Sequence, residues 1–259
     1  YSINGMRNKS LPIESQNDLN KLTRHLGALG DVSYWINSGF FKQFLSRYKD
    51  SELIYSKMMY VSLLSNQIKG DKSRKKTAKE ELWRSQSNDV YWHSSHLGIY
   101  DRNKRDKTYS FLIEAEKSTR EKGIFSGGIN YVDFNFNGLK EALYQGDNYN
   151  AYVELLGGTL FQLDSKKKKK NLLSTVMRIK EVYHGPEYNE GYDKHTRKMF
   201  HDHFLSEKLT IEEIKNQSFK EIGSFIDSSY SFDKLNRDGK NLYTRIHNKI
   251  YLKAQNDYC

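Results

Sequence analysis

The chain has 259 residues, 37% hydrophobic, 14% aromatic and 29% charged, with a formal net charge of +10. That suffices for one large domain or two smaller ones and is too aromatic for a disordered chain; no apolar run reaches the ~18 residues of a membrane span, and no basic-then-apolar leader opens the sequence. Cys259 is the single cysteine, which excludes an internal disulfide and leads us to expect a reducing, cytoplasmic setting. A sequence running from Tyr1 to Cys259 reads as a piece of a longer polypeptide, with Met6 as an alternative start.

Residues 1–33, rich in Asn, Ser and Gly, read as a linker or the remnant of a preceding domain, with a short helix around Asn17 to Leu29. Residues 34–123 read as a helical domain. Phe40, Phe41, Phe44, Leu45 and Tyr48 form a stripe at helical spacing, with Asn37 or Ser38 as cap. After Asp50, residues Ile54, Met58, Val61, Leu64 and Ile68 predict a second helix that Gly70 ends. Thr77-Ala78-Lys79-Glu80 has the form of a capping box opening a third, and a fourth is expected from Asp106 to Lys122, stopping at Gly123.

From residue 124 to 259 the period changes to two, the pattern of half-buried strands. Val132, Phe134 and Phe136 alternate with Asp133, Asn135 and Asn137, and Tyr149 to Leu155 alternate likewise. Further strand candidates are Thr159 to Leu163, Leu172 to Ile179, Gly223 to Phe232 and Leu242 to Leu252. Helices followed by strands predict an α+β chain: an N-terminal helical bundle domain, then an antiparallel β-sandwich domain that is truncated or incomplete at its end.

The positive charge invites a nucleic-acid reading, and Lys166 to Lys170 are five lysines in a row. They lie between apolar segments, where an exposed loop is expected, and no zinc-finger or RNA-binding spacing accompanies them, which argues against a nucleic-acid partner.

The densest cluster of chemistry is Asn88-Asp89-Val90-Tyr91-Trp92-His93. At helical spacing Asp89, Trp92 and His93 share a face. An aromatic wall beside hydrogen-bonding groups suits a sugar ring, which has apolar C–H faces and a hydroxyl rim; the competing reading makes Trp92 a core anchor with its indole N–H satisfied. Other constellations point more weakly. Asp133-x-Asn135-x-Asn137-Gly138 resembles the start of a calcium loop, but Tyr144 stands where a bidentate Glu is required, and Phe134 and Phe136 read as the inward face of a strand. His201 and His203, with His195, would share a strand face, yet no further ligand follows at zinc spacing, so no metal is expected. The pairs Glu80-Glu81 and Glu212-Glu213 read as solvated helix faces, while one of Glu114 and Glu116 reads as a buried structural partner.

With these motifs placed, Gln86-Ser87-Asn88-Asp89-Val90-Tyr91-Trp92-His93 resembles the fifth conserved region of glycoside hydrolase family 57, in its 4-alpha-glucanotransferase and alpha-amylase branch. Tyr48 to Leu53, Lys57-Met58-Met59 and Leu112 to Glu116 are similar to neighbouring segments of that family. So are Asp133 to Gly138 with Glu141, Gly157-Gly158, Asn171 to Leu173, Arg178, Glu181, Tyr183-His184, Tyr192-Asp193, Arg197 and Asp202 to Phe204. The resemblance runs over roughly residues 35 to 245. It implies retaining cleavage or transfer of α-1,4-glucan without a cofactor, by a parent enzyme whose catalytic barrel is missing from this chain, so that no catalytic residue lies here. It further implies that Asn88, Asp89, Tyr91, Trp92 and His93 contact a maltooligosaccharide or support its cleft, and that Asp193, Arg197, Asp202 and His203 serve interdomain structure. Ser94 to Leu97 and Asp101 to Arg105 depart from the family pattern, which keeps a second reading open: a stand-alone or degenerate glucan-binding protein without catalysis.

Overall fold

The computed structural model describes residues 8–27, 39–93, 98–120, 123, 125–185, 191–232, 236–238, 241–243 and 246–247. Helices α1 (Ile13–Leu26), α2 (Phe41–Arg47), α3 (Lys49–Gln67), α4 (Lys72–Ser85) and α5 (Arg102–Ser118) come first. Phe44, Leu45, Ile54, Val61, Leu82, Leu112 and Ile113 close around one apolar core, so the spacing that predicted α2 and α3 is the spacing that buries them.

Two helix starts lie upstream of their expected positions. α4 opens at Lys72 because the Asp71 carboxylate accepts the Arg74 N–H at 2.8 Å. Thr77 is therefore interior, its hydroxyl donating back to the Ser73 carbonyl. α5 likewise opens at Arg102, where the Asp101 carboxylate accepts the N–H groups of Asn103 and Lys104, and Thr119 ends it. The expected caps Asn37 and Ser38 lie outside the described residues; at this end of α2 the Gln43 side chain accepts the Phe40 N–H at 2.7 Å.

The second half carries a five-stranded antiparallel sheet in sequence order: β1 (Gly128–Val132), β2 (Glu141–Gln145), β3 (Tyr149–Val153), β4 (Leu160–Ser165) and β5 (Lys170–Asn171). Two short two-stranded ladders follow: β6 (Ser231–Phe232) with β9 (Ile246–His247), and β7 (Asn236–Asp238) with β8 (Asn241–Tyr243). A five-residue helix α6 (Ile211–Lys215) precedes them. Two strand expectations fail and a third is met only in part. Asp133 to Gly138 is a loop, because its own polar side chains serve its backbone: the Asp133 carboxylate accepts the Asn137 and Gly138 N–H groups. Phe134 is buried there, but Phe136 sits at φ 60° with its ring exposed. Leu172 and Leu173 form a turn, the Leu172 N–H bonding to the Leu163 carbonyl of β4, and 174–179 joins no ladder among the described residues; Val176 and Ile179 pack on the helical core instead. Of Gly223 to Phe232, only Ser231–Phe232 is strand; of Leu242 to Leu252, residues 242–243 and 246–247 are strand and the rest lie outside the described residues.

The inner face of the sheet is polar. Gln145, Asn150, Tyr152, Gln162 and Asp164 are all buried, and α3 and α5 lay Lys57 and Glu116 on them. Lys57 Nζ pairs with Glu116, donates to Tyr152 Oη at 2.8 Å and to Asp164 at 3.1 Å. Glu116 also accepts from Gln145, Asn150, Tyr152 and Arg120. Burial alone would lower the Lys57 ammonium, but Asp164 and Glu116 outweigh it and hold it above its ordinary value. Tyr60, Phe134, Leu143, Tyr152 and Phe161 seal this layer with an apolar ring.

The lysine run forms the β4–β5 turn. It is only partly solvated: Lys166 is buried, its ammonium donating to the Gly146 carbonyl, while Lys170 lies 2.7 Å from Asp106 and Lys169 3.5 Å from Glu114, both on α5. Among the described residues, no helix is long and apolar enough to cross a membrane.

Glu141, at the start of β2, is 2% exposed and accepts the Phe134 N–H at 2.7 Å. Burial pushes its carboxyl up to about 7. A carboxyl raised in the folded state lends stability fully below its unfolded value of about 4.3 and loses it as pH climbs through the folded value. Thermal melts stepped from about pH 5 to pH 8 should therefore show Glu141→Gln with a flatter decline than the parent. Asp50, raised by burial to about 6, runs in the same direction and keeps a residual slope.

Candidate functional site

The Asn88–His93 motif is not helical. Ser85 Oγ donates to the Leu82 carbonyl and the Gln86 N–H to the Trp83 carbonyl, which tightens the last turn of α4 and stops it. A single 3₁₀ turn, Asn88–Val90, follows. The expected common face of Asp89, Trp92 and His93 is thereby split. Val90, Tyr91 and His93 point inward, and Asn88, Asp89 and Trp92 stay half-buried at the surface.

The buried half pins the turn. Tyr91 Oη donates to the Ser85 carbonyl at 2.9 Å, and Ser51 Oγ donates to the Val90 carbonyl at 3.1 Å. On the far side, Gly98 lets the chain return against Trp92: its φ is +45°, and a Cβ there would sit 2.5 Å from the Trp92 carbonyl oxygen. The surface half is left with unused chemistry. The Trp92 ring packs on the helical core, yet its indole N–H is buried without a hydrogen-bond partner among the described residues. Such a donor costs stability unless something accepts from it. The Asp89 carboxylate is half exposed and lies 3.6 Å from Lys104 Nζ.

Behind the turn lies a centre whose members are scattered along the chain. Glu181 is 1% exposed and accepts from Tyr48 Oη at 2.7 Å and Tyr100 Oη at 3.1 Å. Lys9 and Arg47 lie at 3.4 and 3.7 Å, and His93 Nε2 at 3.9 Å. The His93 ring meets Tyr100 edge-on at 4.8 Å and contacts Tyr48 and Tyr183 at about 6 Å. Burial and the Glu181 charge push both the Tyr48 and Tyr100 hydroxyls far above their ordinary range, so both remain protonated donors. His93 is thus the inner anchor of the motif, and Glu181 is what it is anchored to.

Downstream, Asp193 joins Arg178 at 2.9 Å to Arg197 at 2.8 Å, tying an extended segment to the 191–197 loop. Burial alone would raise its carboxyl, but the Arg178 N–H and the two guanidinium groups hold it below its ordinary value. His203 pairs with Glu221 at 2.7 Å, and His201 stands edge-on to both His195 and His203 at 6.1 Å. Residues 201–203 are not a strand, and among the described residues no group of three or more His, Cys, Asp or Glu side chains is placed to hold a metal ion.

Residues 39–119 match the family model for the alpha-amylase/4-alpha-glucanotransferase middle domain, and residues 133–190 and 187–258 that for its C-terminal domain. An alpha-amylase of Pyrococcus horikoshii is 31% identical over 235 residues, covering 85% of this chain and 35% of the relative. A 4-alpha-glucanotransferase of Thermococcus kodakarensis is 28% identical over 240 residues, covering 79% and 35%. The crystal structure of the 4-alpha-glucanotransferase from Thermococcus litoralis shares the fold at a TM-score of 0.75 and 24% identity, over 90% of this chain and 36% of that one. The chain spans about a third of the length of the curated relatives it matches.

Proposed function

Because this chain belongs to glycoside hydrolase family 57, carrying the middle and C-terminal domains of its alpha-amylase/4-alpha-glucanotransferase branch, we propose that it is the non-catalytic portion of a retaining α-1,4-glucan-processing enzyme. The two carboxylates of the reaction are assigned to a barrel domain within the two-thirds of the relatives outside the match, and this portion completes the substrate cleft. Asn88, Asp89 and Trp92 form its wall, while Tyr91 and His93 support them. In the same proposal the helical unit spans 34–123, the sheet forms one layer of a β-sandwich within 124–259, and the protein works in the cytoplasm.

One observation carries the reading: a half-buried tryptophan beside a half-exposed carboxylate, on a turn fixed from behind. A glucose ring stacked on Trp92 would offer its C–H face to the indole and would donate from a hydroxyl to Asp89. Trp92→Ala is expected to weaken maltoheptaose binding at this wall by about tenfold or more, the loss of one aromatic platform. Isothermal titration with both proteins checks it. Unchanged affinity in the folded variant would remove Trp92 from the cleft and return it to the core.

A further inference from the structure

A concavity lies away from the Trp92 turn. It measures about 340 Å³ and opens between the first turn of α3, the Asp133–Gly138 loop, the end of β3 and the 194–201 segment. That is the lower end of the range for sites that hold small ligands. Its chemistry narrows what it can take. Lys49 lies 2.8 Å from Glu52, Lys198 pairs with Glu154, and His195 Nδ1 is 3.8 Å from Asp227. Lys194 is spent on the Phe219 carbonyl at 2.9 Å. The wall's three lysines, Lys49, Lys194 and Lys198, are balanced by three carboxylates, Glu52, Glu154 and Asp227, so it carries no net formal charge to draw a phosphate or another anion. Nor do the described residues offer a metal-holding set here.

What the wall does offer is neutral donors and acceptors. Asn135 Oδ1 and Asn137 Oδ1 accept the N–H groups of Asn137 and Leu139, which fixes both side chains. Their amide NH₂ groups have no partner among the described residues. The loop that presents them holds Phe136 at φ 60°, a strained position for a side chain, and Asp133 clamps it there. His201 also makes no hydrogen bond among the described residues. Burial, with Lys198 and His195 nearby, lowers its imidazole from the ordinary value. Near neutral pH it is thus uncharged, with one donor and one acceptor nitrogen. Leu156, Met177 and Ile226 supply an apolar floor.

Paired charges, free amides, a free neutral imidazole and an apolar floor match a ligand that is itself neutral, ringed with hydroxyls and apolar on its faces. We propose that this cavity is a separate binding site for a neutral saccharide of one or two rings, contacted by Asn135, Asn137 and His201. The assignment stands on the cavity's own chemistry and is independent of the Trp92 wall.

Maltose titrated into the 259-residue chain is the test, followed by NMR of the Asn135 and Asn137 side-chain amides. Both amide signals should move, and should still move in Trp92→Ala. His201→Leu, which removes both ring nitrogens, should weaken the response by about tenfold or more. Leu156→Trp should do the same by filling the space from a side chain already 48% exposed, so that its folding is not at risk. Amide signals that stay still, that respond only when Trp92 is present, or that keep native affinity in a folded Leu156→Trp protein overturn the proposal. So does tighter binding of inorganic phosphate than of maltose at these amides. A maltose response that survives Trp92→Ala and fails in both cavity variants would uphold this site whatever the outcome of the maltoheptaose titration, which alone decides the Trp92 wall.

Discussion

Replacing Lys57 with methionine is expected to lower folding stability by about 3–5 kcal/mol, the cost of breaking a buried ion pair from one side. The side chain is fully buried between helices and sheet, and three oxygens converge on its ammonium, from Glu116, Tyr152 and Asp164. Methionine keeps the length and the apolar stem, so the change isolates the charge. Glu116 retains Arg120 at 3.0 Å and the amides of Gln145 and Asn150. Asp164 keeps only the Gln162 amide at 2.7 Å, and its other carboxylate oxygen is already unpartnered among the described residues. The loss therefore concentrates at Asp164. Burial already raises that carboxyl, and without Lys57 it protonates more readily still. The deficit should accordingly narrow as the pH of a urea titration is lowered, and Lys57→Met combined with Asp164→Asn should recover part of it. A loss under about 1 kcal/mol at neutral pH would mean that the network is no stronger than a surface pair. Because Lys57 and Glu116 come from helices and Asp164 from β4, the same experiment reports whether the two halves of the chain unfold as one unit.

Legibility in the sequence followed the range of the interaction. α2 and α3 were readable because their cores repeat at three and four residues, a signal contained within each element. Of the meander, β3 and β4 overlapped strand candidates while β2 and β5 did not, and the expectation that one of Glu114 and Glu116 is a buried partner is met by Glu116. Where two local signals competed, the stronger one was hidden: Thr77 to Glu80 has the form of a capping box, but Asp71 caps first. Asp133 to Asn137 alternates like a strand, but its short polar side chains bond to the adjacent backbone and bend it into a loop. The motif at Asn88 to His93 was found as a composition and misplaced as a helix, since the Ser85 hydroxyl and the Gln86 N–H close the last turn of α4 and the Tyr91 hydroxyl then holds the chain on the Ser85 carbonyl. The polar face of the sheet gave no warning, because Gln145, Asn150 and Asp164 read like any outward strand position until the helices deliver their charges. Glu181 had no spacing to betray it. It lies 133 residues from the Tyr48 hydroxyl it accepts, and only the fold joins them.

Glu181 is where packing and the proposed glucan wall meet, and two substitutions there separate the roles. Glu181→Leu removes an acceptor shared by the Tyr48 and Tyr100 hydroxyls and takes away the anion beside Lys9, Arg47 and His93. Two donors stranded in a dry site should cost roughly 3 kcal/mol. Glu181→Gln keeps one oxygen for the tyrosines and should cost markedly less, since Lys9 and Arg47 retain partial access to water. The consequence for binding follows from His93. Its ring is held by Tyr48, Tyr100 and Tyr183 around that carboxylate, and the Trp92 backbone is the next residue out. If Glu181 positions the turn, maltoheptaose affinity should fall in Glu181→Leu at a temperature where the variant is still fully folded, and should stay near native in Glu181→Gln. Thermal melts and titrations on the same samples give both readings. A folded Glu181→Leu protein that binds maltoheptaose as the parent does would show that Ser51, Tyr91 and Gly98 alone suffice to hold Trp92 in place. Glu181 would then matter to the fold and not to the wall.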